Sequence, residues 1–120
     1  MKINKKELTI EGLQEEYYFL HITDTHAGRE NLTRDGISAA ERLKEYVEYA
    51  NEERLSGVLL TGDIIDNPAL ENLTLLKRQL EAFQVPYLYI PGNHDWAVAD
   101  DYHTDVATSR DWPLLQPFCR

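Results

Sequence analysis

Apolar residues along this chain follow two alternating rhythms: short continuous runs, and longer stretches with helical spacing. Residues 17–23 make the first run, and residues 7–11 read as a further short strand ahead of it. Val58-Leu59-Leu60-Thr61 and Tyr87-Leu88-Tyr89-Ile90 are too short for helices and suit buried parallel strands. Between the runs, Ala39, Leu43, Tyr46, Val47 and Ala50 recur on one helical face. Leu70, Leu73, Leu76, Leu80 and Phe83 do the same further on. Ser38-Ala39-Ala40-Glu41 has the serine and glutamate spacing of a capping box, which satisfies free amides at a helix start. Gly57 is predicted to cap the first helix in left-handed geometry, Asn67-Pro68 to open the second, and Pro86 to end it.

Strands alternating with helices predict an α/β fold, a βαβαβ parallel sheet in one domain spanning residues 1–120. If strand order simply progresses, right-handed crossovers place both helices on one face of the sheet. The opposite face then needs cover, either from the tail at Trp112 to Phe118 or from a second chain. Self-association is the expectation.

Hydrophobic content of 42% is ordinary for a folded domain, and no apolar run approaches the roughly 20 residues of a membrane helix. The lysine-rich start lacks the apolar stretch of a signal peptide. A single cysteine, Cys119, cannot form an intrachain disulfide, and together these features predict a cytoplasmic protein. Net charge is −9, from 21 acidic against 12 basic residues, which disfavours nucleic acid as a partner.

A polar cluster follows each predicted strand: Asp24-Thr25-His26, then Gly62-Asp63-Ile64-Ile65-Asp66, then Gly92-Asn93-His94-Asp95. The carboxyl ends of strands form the ligand-binding edge of an open α/β sheet, so three clusters distant in sequence converge on one rim. Carboxylate, imidazole and amide oxygen are ligands for zinc, manganese or iron. Asp63 follows a glycine, where backbone can turn sharply and approach closely. A carboxylate can bridge two ions roughly 3.5–4 Å apart, a pairing that acidifies water and clamps a phosphoryl group.

Asp24-x-His26, Gly62-Asp63-x-x-Asp66 and Gly92-Asn93-His94-Asp95, in that order, resemble the first three signatures of the calcineurin-like metallophosphoesterase family. The resemblance covers roughly residues 19–96 and implies the first half of an αββα sandwich that hydrolyses phosphate monoesters or diesters. It further implies two divalent ions, manganese, iron or zinc. Asp24 and His26 are implied as ligands of the first, Asp63 as the bridge and Asn93 as a ligand of the second. His94 is implied as general acid or charge stabiliser, with Asp66 hydrogen-bonded to it and fixing its tautomer, while Asp95 supports the loop.

The family also carries later histidines, including a Gly-His-x-His pair, that these 120 residues lack; His103 is the sole histidine after His94, and no glycine precedes it. The chain is therefore expected to be a truncated domain with three ligands for one ion and two for the other. The alternative function is a catalytically incomplete module that holds one ion weakly or mediates an interaction. His21 is expected to be packed and hydrogen-bonded, Trp96 and Tyr102 to pack the third loop rather than stack on a substrate's base or ring, and Arg29 to lie on the surface or reach a phosphate oxygen. A nucleotide-binding doubly wound domain lacks support, because neither Gly-x-Gly-x-x-Gly nor a Walker-type Gly-Lys-Thr occurs.

Overall fold

A computed structural model describes residues 3–28 and 32–96. Arg29, Tyr102, His103, the stretch from Trp112 to Phe118 and Cys119 lie outside the described residues, as does the side chain of Trp96. The elements run β1 (Phe19–Ile22), α1 (Ala39–Glu52), β2 (Gly57–Leu60), α2 (Leu70–Ala82), β3 (Tyr87–Tyr89) and a single turn, α3 (Asn93–Trp96). The predicted α/β order holds. The three strands are parallel in the order β1-β2-β3, with Leu20 level with Val58 and Leu60 level with Tyr89. No further strand forms at residues 7–11, which are exposed and irregular.

Strand side chains point to alternating faces. Ile22, Val58, Leu60 and Tyr89 point into the core, where they meet Leu43, Ala50, Leu73, Leu76 and Leu80 from the two helices. Full burial of a leucine stabilises the fold by about 1.5–3 kcal/mol, so this single helix-covered face carries most of the apolar driving force. On the other face Phe19 is 61%, Leu59 36%, Leu88 49% and Ile90 55% exposed. His21 lies there too, exposed, with Nε2 2.7 Å from the Thr61 hydroxyl. It is hydrogen-bonded as expected, but it is not packed.

The helix ends differ instructively from the sequence expectation. Ser38 does cap α1, its hydroxyl accepting from the Glu41 amide at 3.0 Å. The left-handed residue after α1 is Arg54, not Gly57, and Gly57 instead opens β2. A Cβ at Gly57 would sit 3.0 Å from the Phe19 ring, so its smallness serves strand packing. Helix α2 is capped at Ala69, not at Asn67-Pro68. Asn67 spends its side chain two residues earlier, accepting from the Ala69 amide at 3.0 Å and from the Asn72 side chain at 3.1 Å. Leu70, assigned by spacing to the apolar face, is 57% exposed and opens the helix.

Candidate metal centre at the carboxyl edge of the sheet

Each polar cluster directly follows a strand, and backbone hydrogen bonds stitch the first two loops together. The amides of Asp24, His26 and Ala27 donate to the carbonyls of Gly62, Asp63 and Ile64 at 3.0, 3.0 and 2.7 Å, and the Asp66 amide returns to the Ala27 carbonyl at 3.0 Å. Asp24, His26 and Asp63 all adopt positive φ, at 53°, 46° and 51°. Non-glycine residues rarely occupy that region, and where they do the surrounding structure must hold them there. Here the inter-loop ladder supplies the hold. Nothing in residue order alone signals this strain.

The third loop docks onto the second through two glycines. A Cβ on Gly62 would lie 2.8 Å from the Gly92 nitrogen, and one on Gly92 would lie 2.3 Å from Asp63 Oδ1. That close approach lets the His94 amide donate to Asp63 Oδ1 at 2.9 Å, fixing the carboxylate. The steric role of Gly92 was not apparent from the sequence, although it stands inside a recognisable motif. Beneath the loop lies Asp95, fully buried. It accepts from the amides of Ile65 and Gly92, each at 3.0 Å, and from the Tyr89 hydroxyl at 2.8 Å. Burial pushes its carboxyl above the ordinary carboxylate range, and the two amide donors offset part of that shift. Asp95 thus joins the end of β3 to both later loops.

Within this frame the ligand atoms of Asp24, His26 and Asp63 lie within 4.8 Å of one another, a spacing that fits one ion. Asn93 opens α3, exposed, directly before the residue whose amide holds Asp63. His94 is half-buried, and its ring stands edge-on to that of His26, with centroids 4.6 Å apart. The expected link between the Asp66 side chain and His94 is replaced by another. His94 Nδ1 lies 2.7 Å from the Asp66 backbone carbonyl, whereas the Asp66 carboxylate faces His26 Nδ1 at 3.5 Å. A carbonyl only accepts, so Nδ1 of His94 carries the proton. The tautomer is fixed, but by the main chain.

Residues 17–118 match the family described as calcineurin-like phosphoesterase. A 3',5'-cyclic-nucleotide phosphodiesterase from Nostoc sp. is 35% identical over 83 residues, covering 67% of this chain and 31% of the relative. The DNA double-strand break repair protein Mre11 of Saccharolobus solfataricus is 31% identical over 84 residues, covering 63% of this chain and 22% of the relative. The chain therefore spans less than a third of the length of these relatives. A dimetal phosphatase from Danio rerio superposes with a TM-score of 0.54 at 23% identity, over 67% of this chain and 30% of that structure, a likeness of fold.

Proposed function

Because this chain belongs to the calcineurin-like phosphoesterase family, we propose that it uses Asp24, His26, Asp63 and Asn93 to hold divalent metal for phosphate ester hydrolysis. The convergence of Asp24, His26 and Asp63 within 4.8 Å, on loops from two different strands, carries this reading. Bound there, a divalent ion supplies Lewis acidity toward a phosphoryl oxygen and acidifies water. The chain's own part is positional and protonic. Asp63 is held by the His94 amide, so its carboxylate need not reorganise when charge develops nearby. With Nδ1 tied to the Asp66 carbonyl, His94 in its imidazolium form can donate from Nε2 to a departing alkoxide oxygen. Asp66 is a positioning residue in this scheme, acting through its carbonyl.

The activity for which the Nostoc relative is named favours a phosphodiester substrate. Charge points the same way: a diester carries one negative charge, a monoester up to two, and the rim bears Asp24, Asp63 and Asp66 on a chain of net charge −9. That charge also disfavours long nucleic acids. The test is nitrophenol release from bis(p-nitrophenyl) phosphate and from p-nitrophenyl phosphate with added Mn²⁺, comparing the 120-residue chain with Asp63→Asn. We expect the diester to react faster and Asp63→Asn to lose at least about tenfold, the least that disturbing a metal site costs. Equal rates in both proteins refute the role of Asp63. Binding of Mn²⁺ without turnover would instead favour the incomplete-module reading, in which Asp63 and Asn93 alone cannot retain a second ion.

Two further proposals concern the setting. Among the described residues no helix is long and apolar enough to cross a membrane; with the lone Cys119, this supports a cytoplasmic location. Among the described residues, Phe19, Leu59, Leu88 and Ile90 stand exposed on one sheet face, which supports association between copies.

A further inference from the structure

His26 stands between two different sets of donors. Its Nε2 faces Asp24 Oδ1 at 3.9 Å, and its Nδ1 faces Asp66 Oδ1 at 3.5 Å. The second separation exceeds a good hydrogen bond, which spans about 2.7–3.2 Å. It approaches the distance of about 3.3 Å between two ligands on a tetrahedral ion with bonds near 2.0–2.1 Å. His94 completes that second set, since one ring nitrogen each of His26 and His94 and one carboxylate oxygen of Asp66 also lie within 4.8 Å of one another.

An independent observation concerns protonation. A histidine that binds metal generally donates its other ring N–H to a carboxylate or a backbone carbonyl, which fixes the tautomer and makes the ligating nitrogen more basic. His94 has that arrangement: Nδ1–H donates to the Asp66 carbonyl, which leaves the lone pair on Nε2. The side chains of His26 and Asp66 are 34% and 41% exposed, so an ion can enter from solvent.

We propose that His26, Asp66 and His94 form a second metal site, selective for zinc-like ions, that competes with the Asp24, His26 and Asp63 site for His26. The competition follows from electron counting. Neutral imidazole has one lone pair, on whichever nitrogen lacks the proton, so His26 serves one set through Nε2 or the other through Nδ1, never both at once. The two sets also differ in character. Two imidazoles and one carboxylate suit zinc, whereas two carboxylates and one imidazole lean toward manganese. Zinc in the second site draws His26 away from the first and occupies the Nε2 of His94. On the functional reading above, zinc is therefore an inhibitor where manganese is an activator; the site itself does not depend on that reading.

The experiment uses the metal-free 120-residue chain, titrated with Zn²⁺ and separately with Mn²⁺ by calorimetry, with imidazole NMR following the zinc titration. Zinc is expected to shift the ring signals of both His26 and His94 while leaving His21 in place. His94→Gln and Asp66→Ala should each weaken zinc by about tenfold or more, at least as much as loss of an outer-sphere partner. Asp63→Asn should leave zinc within about twofold of wild type while weakening Mn²⁺ by a similar tenfold. Zinc that shifts His26 but not His94 in the wild-type chain overturns the proposal, whether or not the variants fold. So does Asp63→Asn weakening zinc as much as His94→Gln does. Retention of Mn²⁺ affinity in Asp63→Asn strikes the functional reading alone and leaves the zinc result standing.

Discussion

At the scale of single residues, two glycines with different surroundings separate backbone strain from lost space. Gly36 adopts φ +81° with nothing within 4 Å of the point a methyl group would occupy, so alanine there meets only the left-handed penalty. Gly92 has no such φ, but a Cβ would press 2.3 Å from Asp63 Oδ1 and 2.6 Å from the Asp63 nitrogen. Side-chain rotation relieves the first clash; only a loop shift relieves the second. We expect Gly36→Ala to cost about 1 kcal/mol and to leave Mn²⁺ affinity unchanged. Gly92→Ala should cost on the order of 2–3 kcal/mol and weaken Mn²⁺ as well, because both escapes move the Asp63 carboxylate. Urea denaturation with metal titration of both variants decides the matter, and equal Mn²⁺ affinities would remove the cradle role of Gly92. Such contacts explain what residue order left hidden at the site. Spacing placed Asp24, His26 and Asp63 on one rim, because chain direction and strand ends fix where loops emerge. It did not reveal that the carboxylate of Asp66 turns to His26 while its carbonyl serves His94, because rotamer and loop geometry settle that choice.

At the scale of elements, helix α1 is anchored by more than its apolar stripe. Arg42 is buried in the second turn and pairs with Glu45 at 2.6 Å and with Asp35 in the loop before the helix. Asp35 also accepts from the Thr33 hydroxyl; that bond, and then the Arg42 guanidinium, hold its carboxyl below the ordinary value of 3.8. The sign follows directly. A carboxyl with a depressed folded pKa contributes stability above its unfolded value and loses it as pH falls through the folded value. Wild type should therefore exceed Asp35→Asn in stability at pH 7, with the gap narrowing below about pH 4 as the carboxylate is protonated. Urea midpoints of the two proteins at pH 7 and pH 3 test this, and a gap just as wide at pH 3 as at pH 7 would show that charge is not its origin. The same helix shows which local signals were legible. The Ser38 cap could be read because serine acts on an amide three residues away, within reach of local sequence. The start of α2 could not, because Asn67 closes a turn around Ala69 and Asn72 before the helix begins.

At the scale of the whole molecule, the alternation of strands and helices was readable because buried strands and amphipathic helices differ in period. What covers the second face was not, since an apolar run reads alike whether its partner is a helix, a tail or another chain. Phe19, Leu59, Leu88 and Ile90 form that face on three adjacent strands. Pairing two copies brings together eight partly exposed side chains; with roughly half of each still to be buried, the gross gain is about 8 kcal/mol. Lost rigid-body freedom opposes it by at least about 4 kcal/mol, leaving a dissociation constant on the order of 1 mM. Leu8, Ile10 and Leu13, at 90%, 62% and 50% exposed, can tighten association only if they join the same contact. We therefore expect a monomer at about 10 µM whose weight-average mass rises toward a dimer near 1 mM, at the strength that surplus allows. Leu88→Lys should abolish that rise by placing a desolvated charge on the face, without disturbing the core that Tyr89 and Leu60 build on the other side. Sedimentation velocity across that range is the measurement. A monomer that persists throughout, in wild type and variant alike, would refute association through this face.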